Sequence, residues 1–445
     1  LEGPRDLEAA LSLRHTRPSQ QTGVISLVAP CDRAANESGT GGRRAVTRRY
    51  WIGQAIVEED DAGFDAALAE AHRTRQRPVC LCCEKGAVMY IARVGDQFFT
   101  KRMPLSGRNH DPRCQSYEPP YELSGLGPLI GGAIQLDPAS GMAALKLDFS
   151  LSKRGAQKST CAVVQSEGPV KNEIRKMSLL ALLHYLWHQG GLTEWTAHWV
   201  GKRHWFQVRS HLIDAAATMT VKGTALAERL FVPENFRLED KAAIEQRRAQ
   251  ALADIRAPVS GPRNLMLLIG EIKTFESARC GQRIVVKHMP GFPLMLEDIA
   301  WRRLHSRYAS ELELWAANEK AHLIAIATFG LTQSGLVSIN EIALMLSTEQ
   351  WLPIENAYEE RLVERLARQS SKSVKGLRFN LSSTQPLAAA TLPHRRPLPA
   401  ALYIVPSDAD ETFEQSLAEM IAARPDVEPW IWRVAEGDMP ALPDA

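Results

Sequence analysis

Five soft or borderline ligand side chains within 35 residues constrain this chain more than any other feature: Cys80, Cys82, Cys83, His110 and Cys114. They stand in Cys80-Leu81-Cys82-Cys83 and in His110-Asp111-Pro112-Arg113-Cys114. A structural zinc ion takes four thiolate or imidazole ligands in a tetrahedron. The stretch from Met89 to Lys101 reads as two short strands around a Gly95-Asp96 turn. A hairpin there carries the chain out and back, so the second ligand pair can meet the first. The expected ligands are Cys80, Cys82, His110 and Cys114. Cys83 follows directly on Cys82, so its side chain should point elsewhere. The C-x-C spacing departs from the commoner C-x2-C. The competing reading is a set of reduced core cysteines beside a surface histidine. In an intracellular chain such a cluster argues for metal or catalysis over disulfides, and adjacent cysteines reach disulfide geometry only with strain. With all four positions filled by protein no site stays open for substrate, so the expected zinc is structural. Its binding would supply the stability that a short hairpin lacks.

Length and composition bound the rest. The chain has 445 residues, which suggests two to four domains. A hydrophobic content of 45% and a charged content of 23% are those of a globular protein. A net charge of +2 does not by itself argue for nucleic acid, so any basic surface must be local. The longest apolar runs, such as Leu323 to Phe329, fall far short of a membrane span. Seven cysteines, several of them clustered as thiolate ligands, fit a reducing cytoplasm.

The expected fold class is α+β and multidomain. Residues 1–47 read as a disordered tail, rich in Arg, Ser, Gly, Thr and Pro. Residues 48–168 read as the zinc-knuckle module. It holds a strand from Tyr50, a helix over 60–74 with Phe64, Ala67, Leu68 and Ala71 on one face, the ligand hairpin, and a second hairpin over 131–149 that turns at 138–141. Residues 169–258 read as a helical, possible winged-helix domain. Its parts are a helix over 173–188, a Trp-rich turn, a second helix over 204–217, extended residues 230–233 and a charged helix over 238–256. Lys202, Arg203, His204 and Arg209 lie at and near the start of that second helix, where basic groups can meet phosphates. The competing reading makes Trp195, Trp199 and Trp205 core and the cations a solvated edge. His184 and His188, four residues apart without an acidic third partner, read as packing or surface residues.

Residues 259–350 read as an α+β domain with strands at 264–273, 282–288, 322–329 and 336–346 and a helix over 296–318. Glu271-x-Lys273 at a strand end is the one weak catalytic candidate. Metal-dependent nucleases use such a pair to hold magnesium and position water, but a lone short motif matches often by chance. Residues 351–445 follow the order helix, three strands, helix, strand. That αβββαβ order resembles the restriction-endonuclease-like superfamily. The resemblance offers Glu355 or Glu359 as the helix acid. The second strand ends in Leu392-Pro393-His394-Arg395 and the third reads Ala401-Leu402-Tyr403-Ile404-Val405, both without the acids that cleavage needs. Lys372, Lys375 and Arg378 give the first strand a basic face.

Several stretches together resemble a bacterial family known as domain of unknown function 1173. They are Arg77-Pro78-Val79-Cys80-Leu81-Cys82, Met89-Tyr90-Ile91-Ala92, Lys101-Arg102-Met103-Pro104, His110 to Cys114, and Val374-Lys375-Gly376-Leu377-Arg378-Phe379-Asn380. The resemblance runs from about residue 48 to the end. That family occurs largely on plasmids and integrating elements, which implies a role in mobile DNA and no mechanism. The knuckle resembles, more distantly, the N-terminal finger of competence proteins that carry a nuclease-like domain. The function expected is a zinc-stabilised accessory protein that touches nucleic acid, through Lys202, Arg203, His204, Arg209, Lys375 and Arg378. The alternatives are a magnesium-dependent nuclease and a scaffold for other plasmid-encoded proteins.

Overall fold

The computed structural model describes residues 48–94, 97–103, 105–137, 141–153, 176–256, 263–279, 281–369 and 372–443. The expected tail over 1–47, the Gly95-Asp96 turn, most of the 138–141 turn and most of the loop over 152–168 lie outside these residues.

The ligand hairpin belongs to something larger than a hairpin. Five strands form one antiparallel sheet in the order Ala55–Glu58, Arg49–Ile52, Val79–Cys80, Ala87–Val94, Gln97–Arg102. Helix α1 (Phe64–Arg73) lays Phe64, Leu68 and Ala71 on it. Tyr50, Ile52, Cys80, Ala87, Met89, Cys114 and Tyr117 complete a small separate core. The hairpin, expected to be too short to bury a core by itself, shares this one: the upstream strand and helix supply the apolar faces that two strands lack.

Helix α2 (Leu179–Gln189) starts at Ser178, whose hydroxyl accepts from the Ala181 N–H at 3.2 Å. It is apolar nearly all round, as Leu-Leu-Ala-Leu-Leu-His-Tyr-Leu-Trp dictates, and residues on every face are buried. Helix α3 (Trp205–Ala217) packs against it and leads into the hairpin Met219–Val221 and Thr224–Ala225. Two helices and a hairpin thus follow one another in chain order. Three neighbours then tie this region to the rest. Glu194–Trp195 joins the C-terminal sheet, Leu230–Phe231 pairs with the central sheet, and Ala143–Leu145 of the second expected hairpin runs parallel to Met219–Val221. One hydrophobic core runs from Leu126 through α2 and α3 to Phe379 and crosses the expected boundaries at 168/169, 258/259 and 350/351. Helix α4 (Lys241–Ala251) buries only Ile244.

In the central sheet, Met266–Ala278 is a single long strand that changes partners midway. Its first half pairs with His322–Leu331, from Met266↔Phe329 to Glu271↔Ile324. Its second half pairs with Gly281–Val286, from Ile272↔Val286 to Ala278↔Gly281, with a bulge between Ile272 and Thr274. Gly270 lies just before the change of partner, where a Cβ would sit 2.8 Å from Val286 Cγ1. Gly281–Val286 pairs with Leu294–Leu296, which lies parallel to the start of Val337–Ser347, and that strand returns antiparallel to His322–Leu331. The five strands therefore close on themselves. Helices α5 (Asp298–Arg307) and α6 (Ala309–Ala317) fill the connection before His322. They replace the single helix expected over 296–318, because Tyr308 between them is buried and departs from helical geometry.

Helix α7 (Ala357–Ala367) opens the C-terminal unit, capped by the Asn356 side chain. The sheet order is Glu428–Arg433, Ala400–Val405, Ala388–Leu392, Ser373–Lys375, Glu194–Trp195. Helix α8 (Glu411–Ala422) supplies the crossover between the parallel pair Ala400–Val405 and Glu428–Arg433. Leu362 and Leu366 of α7 pack on Leu392 and Leu402, whereas Phe413 and Leu417 of α8 pack on Ala401, Tyr403 and Val405. Alternate strand residues point to opposite faces, so the two helices sandwich the sheet. The αβββαβ order read from the sequence is the order found. No helix among the described residues is long and apolar enough to cross a membrane.

Candidate metal centre

Cys80 ends the strand Val79–Cys80 and faces the small core between Tyr50 and Ala87, its sheet partners. The chain then turns, closed by the Gly86 N–H donating to the Cys83 carbonyl at 2.9 Å, with Gly86 in the left-handed region (φ 64°). That turn presents Cys82. The second pair comes from a knuckle after the short helical turn Gly107–Asn109. There Asp111 Oδ1 accepts from the Arg113 N–H at 2.8 Å, and Cys114 N–H donates to the Asp111 carbonyl at 2.8 Å. His110 and Cys114 are thereby swung to the same side.

Together Cys80, Cys82, His110 and Cys114 bring four ligand atoms within 4.8 Å of one another. Cys80 Sγ lies 3.8 Å from Cys114 Sγ. His110 Nδ1 lies 3.3 Å from Cys82 Sγ and 3.7 Å from Cys114 Sγ. Zinc–sulfur bonds of ~2.3 Å and zinc–nitrogen bonds of ~2.0–2.1 Å set tetrahedral edges of ~3.8 Å between sulfurs and ~3.5 Å between sulfur and nitrogen. The observed edges match those values, so this donor set fits a tetrahedral metal ion. Cys83 stands apart, as expected from its position, with Sγ donating to the Asn109 carbonyl at 3.4 Å.

Two backbone N–H groups point at the sulfurs. The Asp111 N–H donates to Cys82 Sγ and the Ser116 N–H to Cys114 Sγ, each at 3.4 Å. Hydrogen bonds from the Cys80 and Cys82 thiols hold the Cys114 thiol far below its ordinary range. The same sharing with Cys114 pushes Cys80 up to about 11 and raises Cys82. A cation shared by all three would replace this unequal split. His110 Nε2 is buried and has no hydrogen-bond partner among the described residues.

The knuckle is held from outside by residues remote in sequence. Lys372, buried, points its Nζ at the Gln115 carbonyl (3.3 Å), the Tyr117 carbonyl (3.5 Å) and Glu194 Oε2 (2.7 Å). Arg102 pairs with Glu118 and lies 3.6 Å from Glu194. No sequence signal marked Glu118, Glu194 or Lys372 as partners of the metal knuckle, since each is an ordinary charged residue until the fold brings them together.

The residues expected to meet nucleic acid divide sharply. Arg203 is buried; its guanidinium donates to the Leu192 and Glu194 carbonyls at 3.0 and 2.6 Å and lies over the Trp199 ring. Arg209 Nε donates to the Val232 carbonyl at 3.1 Å. Lys375 is buried against Glu359 (3.2 Å) and the Gly376 carbonyl (2.6 Å). Arg378 pairs with Glu355 at 2.5 Å and donates to the Ser382 and Gln385 carbonyls. These four cations bond within the fold, a correction to the basic edges read from the sequence: Arg203 and Lys375 are buried and Arg209 and Arg378 half-buried, and a charge drawn out of water must find internal partners. Only Lys202 and His204 of the set stand exposed. His184 is a packing residue, its Nδ1 accepting from the Phe379 N–H at 3.1 Å. His188 lies 3.4 Å from Glu118 and lines, with Glu118, Lys375 and Thr391, a partly open cleft between the knuckle and the C-terminal sheet.

Glu271 and Lys273 do not act as a pair. Glu271 is buried and its Oε1 takes Lys287 Nζ at 2.5 Å and His322 Nδ1 at 2.7 Å. Lys273 is exposed. The bulge after Ile272 interrupts the alternation that would have put residues two apart on one face.

The model of one protein family, described as protein of unknown function (DUF1173), matches residues 50–435. No curated protein and no solved structure matches the chain.

Proposed function

This chain belongs to the DUF1173 family, and we propose that it is a zinc-stabilised accessory protein that associates with nucleic acid. The observation that carries the metal half is the quartet Cys80, Cys82, His110 and Cys114, whose spacings are those of a tetrahedral zinc site filled wholly by protein. Such a site has no open position, so its work is to fix the knuckle in place. The ion would join the sheet strand carrying Cys80 to the knuckle that Lys372 holds against the C-terminal sheet.

Support for the nucleic-acid half is the surface at the start of α3. Lys202 and His204 are exposed there beside Phe206, whose ring is 62% exposed. A cation, an imidazole and an open aromatic ring together suit phosphate contact and base stacking. A place on a mobile element, which the sequence resemblance implies, would agree with that partner. The C-terminal unit reads as a restriction-endonuclease-like core without its acids, and Glu359, the buried helix acid, is already paired with Lys375.

Two measurements test the reading. Elemental analysis of purified protein should give about one zinc per chain, and a chelator should lower the melting temperature. Retention on immobilised nucleic acid should weaken steeply with salt. Metal-free protein that melts unchanged with chelator removes the first half; absence of retention at low salt removes the second.

A further inference from the structure

The closed barrel carries a second and more specific surface. Numbered along the chain, its strands are Met266–Ala278, Gly281–Val286, Leu294–Leu296, His322–Leu331 and Val337–Ser347, and the ring reads 1-2-3-5-4-1. The third and fifth run parallel, and α5 and α6 occupy the third-to-fourth connection. This is the connectivity of the OB-fold, a Greek-key barrel that carries oligonucleotides across its second and third strands. Connectivity alone assigns no function, so the charge on that face decides the matter.

From Lys273 to Arg307 the sequence holds seven Lys and Arg against three Asp and Glu. The whole chain is nearly balanced, with 53 against 51, so this segment concentrates the excess. Ile284 and Leu294 are buried inside the barrel. The cross-strand row Glu276↔Arg283↔Met295↔Ser338 alternates with them and faces outward. Arg283 is half exposed and, among the described residues, pairs with Glu276 alone, at 3.0 Å. Lys273, Arg279 and Arg303 are exposed and form no ion pair among the described residues. Arg303 lies on α5, which packs against Gly281–Val286.

We propose that this face binds single-stranded nucleic acid, with Lys273, Arg279, Arg283 and Arg303 meeting its phosphates. Cations spread over a curved sheet and the helix beside it suit a backbone that bends to each in turn. The proposal rests on the nucleic-acid reading above and adds the strand form and the surface.

The test uses the full-length, zinc-loaded protein and a fluorescent 20-nucleotide DNA, single-stranded or duplexed, in an anisotropy titration over a salt series. The single strand should bind more tightly than the duplex. Lys273→Glu, Arg283→Glu and Arg303→Glu combined should weaken binding roughly tenfold or more and flatten the logarithmic salt slope by about 0.7 for each phosphate no longer neutralised. Lys241→Glu on α4, also a charge reversal, should change little, and all variants should melt like the parent. Equal or tighter binding of the duplex overturns the proposal. So does unchanged single-strand binding by the triple variant, which would leave the broader reading standing and point to the α3 edge. No binding of either strand form at low salt overturns both.

Discussion

Lys372 Nζ lies 2.7 Å from Glu194 Oε2, and the same ammonium group reaches the carbonyls on either side of Ser116, at Gln115 and Tyr117. One buried cation thus links the first strand of the C-terminal sheet, an edge strand from between α2 and α3, and the metal knuckle. Replacing it by methionine keeps the apolar stem and leaves Glu194 with an unneutralised share of its charge. Lys372→Met should cost about 3 kcal/mol, because removing one partner of a buried pair strands the other. Thermal melts should show a lowered midpoint, with zinc lost to chelator faster than from the parent. An unchanged midpoint would mean that the link adds nothing to stability.

The two neighbouring cysteines should behave oppositely. Cys114→Ser removes a ligand of the quartet and should abolish zinc retention and destabilise the sheet module. Cys83→Ser alters a thiol outside the quartet, one that donates to the Asn109 carbonyl, and should retain about one zinc per chain. Elemental analysis of both proteins after gel filtration decides it, and equal metal content in the two would refute the assignment.

Stability should fall as solutions become mildly acidic. Burial, then the nearby Lys375 and Arg378 charges, depress His184 to about 3. Burial, then Arg102, depresses His188 to about 4. In the unfolded chain both protonate near 6.5. The folded state therefore binds fewer protons below that value. The penalty is absent above about pH 6.5 and grows until pH reaches the folded values. At pH 5 each histidine should cost about 2 kcal/mol. Denaturant titrations of His188→Gln between pH 7 and 5 should show a shallower loss than the parent; an identical slope would exclude His188 as its source.

Glu271 and Lys273 should separate in their effects. Glu271→Ala leaves the Lys287 ammonium and the His322 imidazole without their shared carboxylate and should cost about 2–3 kcal/mol. Lys273→Ala removes an exposed side chain and should change stability by less than about 0.5 kcal/mol. Urea midpoints of the two variants provide the comparison, and similar losses in both would restore them as a pair.

The metal quartet could be read from the sequence because zinc selects residue types, and two local turns place them. Helix α1, the strand pair around residues 95 and 96 and the αβββαβ order could be read for a related reason: periodicity and turn residues act over a few positions. The barrel could not be read. Its closure depends on Met266–Ala278 changing partner after Glu271 and so pairing with two different strands, and no short window of sequence records which strand comes to lie beside which.

The sequence by itself determined which side chains could hold a metal and where most helices and strands lie, since those depend on chemistry and spacing within a few residues. Tertiary structure alone decided which cations are held inside and which remain free. Arg203, Lys375 and Arg378 differ from Lys273 and Arg303 in what the fold carried next to them. A charge withdrawn from water must find a partner, and that partner comes from a distant stretch of chain.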